Sequence, residues 1–262
     1  MELTVDGRSV FAATGGRDFD PALPAVIFVH GAGMDRTVWA LQTRFFAYHG
    51  HGVLAVDLPG HGRSEGPALD SIAAIADWLA RLMDAAGLPR AALAGHSMGA
   101  LAALDCAGRH PERVRALALL GAAPRMPVHP DLLAAAEADD HLAFDLVTDW
   151  AHGDSGHLGG ARAPGLWLMG GGERLLERAA PGVLYNDLAA CNAYENAPAR
   201  AAAVACPTLL VLGADDRMTP ARAGRKLAEA IPGARVELVA DSGHMVMTEK
   251  PDQTLDALKT IL

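Results

Sequence analysis

The feature that most constrains this chain is one junction. The apolar run Ala91-Ala92-Leu93-Ala94 meets Gly95-His96-Ser97-Met98-Gly99 and passes at once into Ala100-Leu101-Ala102-Ala103-Leu104. A short apolar run before a tight turn reads as a buried strand, and the good helix formers after it read as a helix. The turn between them is so sharp that side chains two residues either side of the serine would collide, which is why glycine stands at both places. The Ser97 hydroxyl is thereby pushed out at the C-terminal end of the strand. The unpaired N–H groups that open the helix are ready to meet an oxygen carrying negative charge. In this context the pattern is a nucleophile elbow. A second match, Gly62-Arg63-Ser64-Glu65-Gly66, follows no strand and runs into Pro67, so Ser64 reads as loop.

Apolar runs like the one before Ser97 recur at residues 25–29 and 53–56, and further strands are read at 115–120, 208–212 and 235–239. Continuous apolar runs of this length fit parallel strands covered on both faces. Two shorter alternating segments, near residues 3–5 and 9–13, flank Asp6-Gly7 and read as a hairpin forming an antiparallel sheet edge. Helical patterns fall between the strands, at 38–48, at 72–85 before Gly87, behind the elbow, after Pro220 and after Pro251. This alternation predicts an α/β fold, a mostly parallel eight-stranded sheet with helices on both faces. A chain of 262 residues, 51% of them hydrophobic, is enough for one such domain with a sizeable core.

The rhythm breaks between Pro124 and Cys206. That stretch carries helical patterns at 132–150 and 183–194, a glycine-rich piece at 153–172 and no convincing strand. It leaves the core just past a strand's C-terminal end, the edge where open α/β sheets bind ligands. The expected organisation is a core of residues 1–123 and 206–262 with residues 124–205 inserted as a helical lid. Gly170-Gly171-Gly172 reads as a hinge for it.

A net charge of −9 and the absence of any Lys/Arg cluster argue against nucleic acid or anionic membranes as partners. No apolar run is long enough to span a bilayer. The start, Met1-Glu2-Leu3-Thr4, shows no basic region ahead of an apolar core, so no secretory signal is read. Three cysteines, Cys106, Cys191 and Cys206, are an odd number without metal-type spacing and suit a reducing interior. The expected location is cytoplasmic. His152 and His157 lack further ligands at suitable spacing, so no metal is expected, and no organic cofactor.

Loops at the C-terminal ends of the strands converge on one edge, and that edge holds Ser97. A serine needs a base within hydrogen-bond reach and a carboxylate to orient that base. The loop 213–220 offers two aspartates. Asp216, further from its strand, has more room to turn toward the elbow, while Asp215 is placed to cap the turn. The loop after the last strand reads Asp241-Ser242-Gly243-His244-Met245 and supplies His244, completing the order Ser, Asp, His. The loop His30-Gly31-Ala32-Gly33 can aim the N–H of Ala32 at the elbow, and with the N–H of Met98 it would form an oxyanion hole.

Taken together, His30-Gly31-x-Gly33, Asp57-Leu58-Pro59-Gly60-His61-Gly62-Arg63-Ser64, Gly95-His96-Ser97-Met98-Gly99, Gly213-x-x-Asp216 with Pro220, and Gly243-His244 resemble the α/β-hydrolase superfamily. The likeness is to its lidded branch of carboxylesterases, lactonases, carbon–carbon bond hydrolases and cofactor-free haloperoxidases. That resemblance implies Ser97 as nucleophile, His244 as base, Asp216 as orienting acid, and Ala32 and Met98 as oxyanion donors. In some relatives the acid follows the strand equivalent to residues 115–120; here Gly121-Ala122-Ala123-Pro124 offers no carboxylate. Ala100 departs from a glycine common in the family. The histidine and arginine of the 57–64 loop read as structural.

The expected activity is hydrolysis of small carboxylic esters. A lactone, or a diketone split at a carbon–carbon bond, would use the same triad. Epoxide hydrolases and dehalogenases of this superfamily carry Asp where this chain has Ser97. A non-catalytic small-molecule receptor on the same scaffold is the alternative from another class. Trp39, Phe144, Trp150, Trp167, Met169, Tyr185 and Met245 are the apolar candidates for the substrate pocket, with Trp39 and Met245 expected to border the substrate.

Overall fold

A computed structural model describes residues 1–161 and 165–262 of the chain. Two short antiparallel strands, β1 (Glu2–Val5) and β2 (Arg8–Ala13), turn at Asp6 and Gly7, both with positive φ, as a tight hairpin requires. The remaining strands are β3 (Ala25–Val29), β4 (Gly52–Val56), β5 (Ala91–His96), β6 (Val114–Leu120), β7 (Thr208–Gly213) and β8 (Arg235–Val239). They form one eight-stranded sheet in the order β1-β2-β4-β3-β5-β6-β7-β8, parallel from β4 to β8. In β3, β4, β5 and β7 every residue is buried, which is why their sequences show no alternation.

Helices cover both faces: α1 (Ala40–Tyr48), α2 (Ile72–Ala85) and α3 (Met98–Arg109) in the first half of the chain. Helix α1 is preceded by a 3-10 turn at Arg36–Trp39, so the helical pattern beginning near residue 38 is two pieces. Ser71 caps α2, its hydroxyl accepting from the N–H of Ala74 at 3.3 Å, and the helix turns Ile72, Ile75, Leu79, Leu82 and Met83 into the core.

Between β6 and β7 the described residues hold no strand. They form α4 (Pro130–Glu137), α5 (Leu142–Ala151), α6 (Leu168–Leu176), α7 (Val183–Ala193) and α8 (Ala197–Ala203). The single helical pattern read at 132–150 is broken into α4 and α5 because Asp139 adopts φ 49°, which no helix interior allows. Gly170, Gly171 and Gly172 lie inside α6 rather than in an open hinge, a correction with a steric reason: a Cβ at Gly170 would sit 2.4 Å from the Trp167 ring. The glycine-rich stretch also includes residues 162–164, which lie outside the described residues.

The insertion has an apolar cluster of its own, including Leu132, Val147, Leu176, Leu184 and Leu188. Its C-terminal part joins the main core instead, through Ala190, Cys191, Tyr194, Ala197 and Ala201. A buried carboxylate fixes that junction. Asp105 on α3 accepts from the Tyr194 hydroxyl at 2.7 Å and from Arg200 Nε at 2.9 Å, and pairs with Arg109 at 2.9 Å. The chain ends with α9 (Ala221–Glu229), α10 (Val246–Glu249) and α11 (Pro251–Leu258). Among the described residues no helix is long and apolar enough to cross a membrane.

Candidate active site

Ser97 joins β5 to α3 with φ 52° and ψ −116°, a backbone conformation that costs a residue with a side chain on the order of 1–3 kcal/mol. Its neighbours show why the turn is glycine-bound. A Cβ on Gly95 would lie 2.2 Å from the carbonyl oxygen of Gly99, and one on Gly99 would lie 2.5 Å from the carbonyl oxygens of Val29 and His30. The Ser97 N–H donates to the carbonyl of Leu120 at 2.9 Å, locking the elbow to the end of β6. The second serine of that pattern is fully engaged elsewhere. Ser64 Oγ donates to the carbonyl of Asp57 at 2.7 Å and accepts from the N–H of Phe11 at 2.9 Å.

His244 and Asp216, 28 residues apart, meet at 2.8 Å between Nδ1 and Oδ2, both side chains buried. Because a carboxylate only accepts, Nδ1 carries the proton and Nε2 is left with its lone pair. That Nε2 is buried and has no hydrogen-bond partner among the described residues. Burial pushes the Asp216 carboxyl up, but electrostatic attraction and a hydrogen bond from the neighbouring His244, with bonds from Thr219, outweigh it and hold the group below its ordinary range. Asp215 is exposed, and its N–H donates to the carbonyl of Ser242 at 2.9 Å.

Four residues that no motif singles out complete this geometry. Thr219 donates its hydroxyl to Asp216 Oδ2 at 2.7 Å, and its N–H reaches Oδ1 at 2.7 Å. An Asp three residues ahead of a Thr-Pro is a legible signal for this self-bonded turn. His96 Nε2 donates to the carbonyl of His244 at 3.1 Å, and burial holds that imidazole well below its ordinary range. Glu249 accepts from the N–H of Gly243 at 3.0 Å and of Gly153 at 2.9 Å. Asp187 accepts from the N–H of Gly33 at 2.9 Å. Sequence carries no sign of the last two, which reach Gly153, 96 residues from Glu249, and Gly33, 154 residues from Asp187.

The loop 30–33 lies against the elbow: a Cβ on Gly31 would come within 3.3 Å of Ser97 Cβ and 2.8 Å of His96 Nδ1. Among the described residues no acceptor takes the N–H of Ala32 or of Met98. Gly121, with φ 58°, abuts His244, since a Cβ there would lie 2.8 Å from its ring.

Ser97, His244, Ala32 and Thr219 border one cavity of about 390 Å³. Its other walls are mainly apolar, with Met126, Leu132, Val147, Trp150, Leu184 and Leu188 from the insertion, and Arg217 at the polar side. Of the seven apolar candidates read from sequence, Trp150 borders it. Trp39 and Met245 do not, which corrects the expected pocket. Trp39 is fully buried in the core with its ring centroid 5.1 Å from that of Phe28, and Met245 faces a separate cavity of about 290 Å³ beside Val38, Trp167 and Thr248. Phe144 and Tyr185 pack on the insertion's own cluster. His141, Glu173 and Glu177 stand close enough to share a cation, but Arg174 already pairs with both carboxylates.

A strand-turn-helix serine beside a buried His–Asp pair, on the C-terminal edge of a mostly parallel sheet, defines the α/β-hydrolase class. Residues 26–257 match the model of the alpha/beta hydrolase family. The chain belongs to that family, in its branch of esterases and lactonases, and is an enzyme of the hydrolase class. It is 35% identical over 241 residues to a pimeloyl-[acyl-carrier protein] methyl ester esterase of Chromobacterium violaceum, covering 84% of this chain and 87% of the relative. Its fold superposes on the enol-lactonase of Burkholderia xenovorans LB400 with a TM-score of 0.87 at 25% identity, covering 99% and 98% of the two chains. A thermophilic esterase gives a TM-score of 0.81 at 26% identity, covering 99% and 95%.

Proposed function

We propose that this chain is a serine hydrolase of small carboxylic esters, with Ser97 as nucleophile, His244 as general base and Asp216 as the acid that orients it. The observation that supports this best is the state of His244. One ring nitrogen is spent on Asp216, while the other is buried and has no partner among the described residues, and His244 lines the cavity that Ser97 also lines. An unpaired buried nitrogen is costly to keep, and a base that must take a proton needs one.

In the proposed cycle His244 Nε2 removes the Ser97 proton as Oγ attacks the ester carbonyl. The resulting imidazolium is stabilised by Asp216, and the oxyanion is held by the N–H groups of Ala32 and Met98. Collapse expels the alcohol, which takes the proton from His244, and leaves an acyl-enzyme on Ser97. Water, deprotonated by His244, then releases the acid and restores the serine. The helical insertion, residues 124–205, acts as the lid and supplies the apolar wall. A cavity of about 390 Å³ lies at the small end of ligand pockets and suits short acyl and alkoxy groups.

A lactone would pass through the same steps, with the leaving alcohol tethered to the acyl group. The likeness to an enol-lactonase favours testing it alongside. Short-chain p-nitrophenyl esters and simple lactones, assayed side by side, are expected to be cleaved. Ser97→Ala is expected to lose this activity while remaining folded. Undiminished turnover by that variant would remove Ser97 from the chemistry.

A further inference from the structure

The loop 30–33 has its conformation fixed from both sides of Ala32. On one side His30 Nδ1 donates to the carbonyl of Gly31 at 2.9 Å, while its Nε2 accepts from the N–H of Leu58 at 3.1 Å. One donor and one acceptor make this a neutral imidazole, and burial pushes His30 down to about 3. On the other side the N–H of Gly33 donates to Asp187 Oδ2 at 2.9 Å, and that carboxylate belongs to α7 of the insertion, not to the core.

The same oxygen of Asp187 also meets His61 Nε2 at 2.8 Å, and His61 Nδ1 lies 3.0 Å from the carbonyl of Pro59. Both groups facing His61 only accept, so both ring nitrogens donate and the ring is an imidazolium. Burial opposes that charge, but Asp187 and the Pro59 carbonyl outweigh it and hold His61 above the ordinary imidazole range. The two side chains are almost fully buried, at 4% and 1% exposure, so the pair is screened little by solvent.

We propose that Asp187 is a positioning residue for the oxyanion loop: it hydrogen-bonds Gly33 and, with His61 as its counter-charge, aims the N–H of Ala32. The latch comes from the insertion, so the segment that walls the cavity also sets the geometry of the chemistry. Its catalytic consequence rests on the hydrolase reading above, but the hydrogen bond to Gly33 stands apart from it. Gly33 itself has φ 66°, and a Cβ there would lie 2.9 Å from the Leu184 side chain, so this position of the loop takes only glycine without strain.

The test compares wild type, Asp187→Asn and Asp187→Ala by three measurements: kcat and KM on p-nitrophenyl butyrate, affinity for phenylboronic acid, and amide hydrogen exchange at Gly33. The boronate forms a tetrahedral adduct that needs the oxyanion donors, whereas KM does not isolate them. Asp187→Ala is expected to lose roughly 10- to 100-fold in kcat, as a small misplacement of a catalytic group does, with KM within about twofold. Boronate affinity should fall in step with kcat, and the Gly33 amide should exchange faster. Asp187→Asn keeps an acceptor for Gly33 and should recover part of each loss; it also carries the test if the alanine variant does not fold. Unchanged kcat, or unchanged Gly33 exchange, in folded variants of an active enzyme overturns the latch and leaves the hydrolase reading intact. Faster Gly33 exchange in a protein whose wild type cleaves no ester supports the latch and overturns the hydrolase reading.

Discussion

The N–H of His244 donates to the carbonyl oxygen of Ala151 at 2.8 Å, so the last residue of α5 in the insertion holds the loop that carries His244. The N–H of Met245 reaches the same carbonyl at 3.1 Å. With the Asp187 carboxylate on the N–H of Gly33, the insertion is tied to both the loop 30–33 and the loop of His244.

Glu249 reinforces that grip, and its removal should be expensive. Glu249→Ala leaves the N–H groups of Gly243 and Gly153 buried without acceptors, and it leaves the Ser155 hydroxyl only the carbonyl of Asp241, at 3.4 Å. The expected cost is about 3 kcal/mol from two such groups, against about 1 kcal/mol for Glu249→Gln, which keeps one acceptor. Urea unfolding of the three proteins measures this directly. Equal midpoints for wild type and Glu249→Ala would contradict it.

Thr219→Val removes one of the two donors to Asp216 Oδ2 while leaving the bond to His244. The expected loss is about 1 kcal/mol of base positioning, roughly fivefold in kcat, and Thr219→Ser should restore it. A depressed carboxyl stabilises the fold above its unfolded pKa, and that contribution disappears as pH falls through the folded value. Since Thr219 helps to depress Asp216, the valine variant should lose less stability than wild type on acid titration, with the loss ending at a higher pH.

The His61–Asp187 pair gives the opposite pH dependence. A histidine raised on folding contributes fully below its unfolded pKa of 6.5, and the contribution is lost as pH rises through the higher folded value. The groups around His61 are Asp187, Asp57, the Pro59 carbonyl and the neutral His30, with Asp35 and Arg178 beside the adjoining small cavity. Urea midpoints between about pH 6 and pH 9 should fall more for wild type than for His61→Gln. Parallel curves would show that the pair carries no proton-linked stability.

The fold was legible because its strands are buried on both faces and so appear as unbroken apolar runs at residues 25–29, 208–212 and around the elbow. The nucleophile candidate was legible because glycine is the residue type that fits at 95 and 99, where a Cβ would strike backbone. Asp216 and His244 were legible from their places after strand ends, and the two are found hydrogen-bonded. The pocket was not. Met245 is next to His244 in sequence, but its side chain turns to Val38 and Thr248, and Trp39 fills the core under the sheet. Asp187 and Glu249 were illegible for a different reason: a buried carboxylate has no periodicity, and its partners are backbone N–H groups far along the chain. The histidine and arginine of the 57–64 loop read as structural, and the structure adds what sequence does not show, that His61 bonds Asp187 of the insertion.

The central claim is that Ser97 is the nucleophile activated by His244. Labelling the folded protein with a fluorophosphonate, followed by peptide mapping by mass spectrometry, tests it most directly. The account predicts a single adduct on Ser97, its formation slowed on the order of 10³-fold or more in His244→Gln, with Ser64→Ala labelling like wild type. No adduct, an adduct on Ser64, or undiminished labelling of the His244→Gln variant would contradict it.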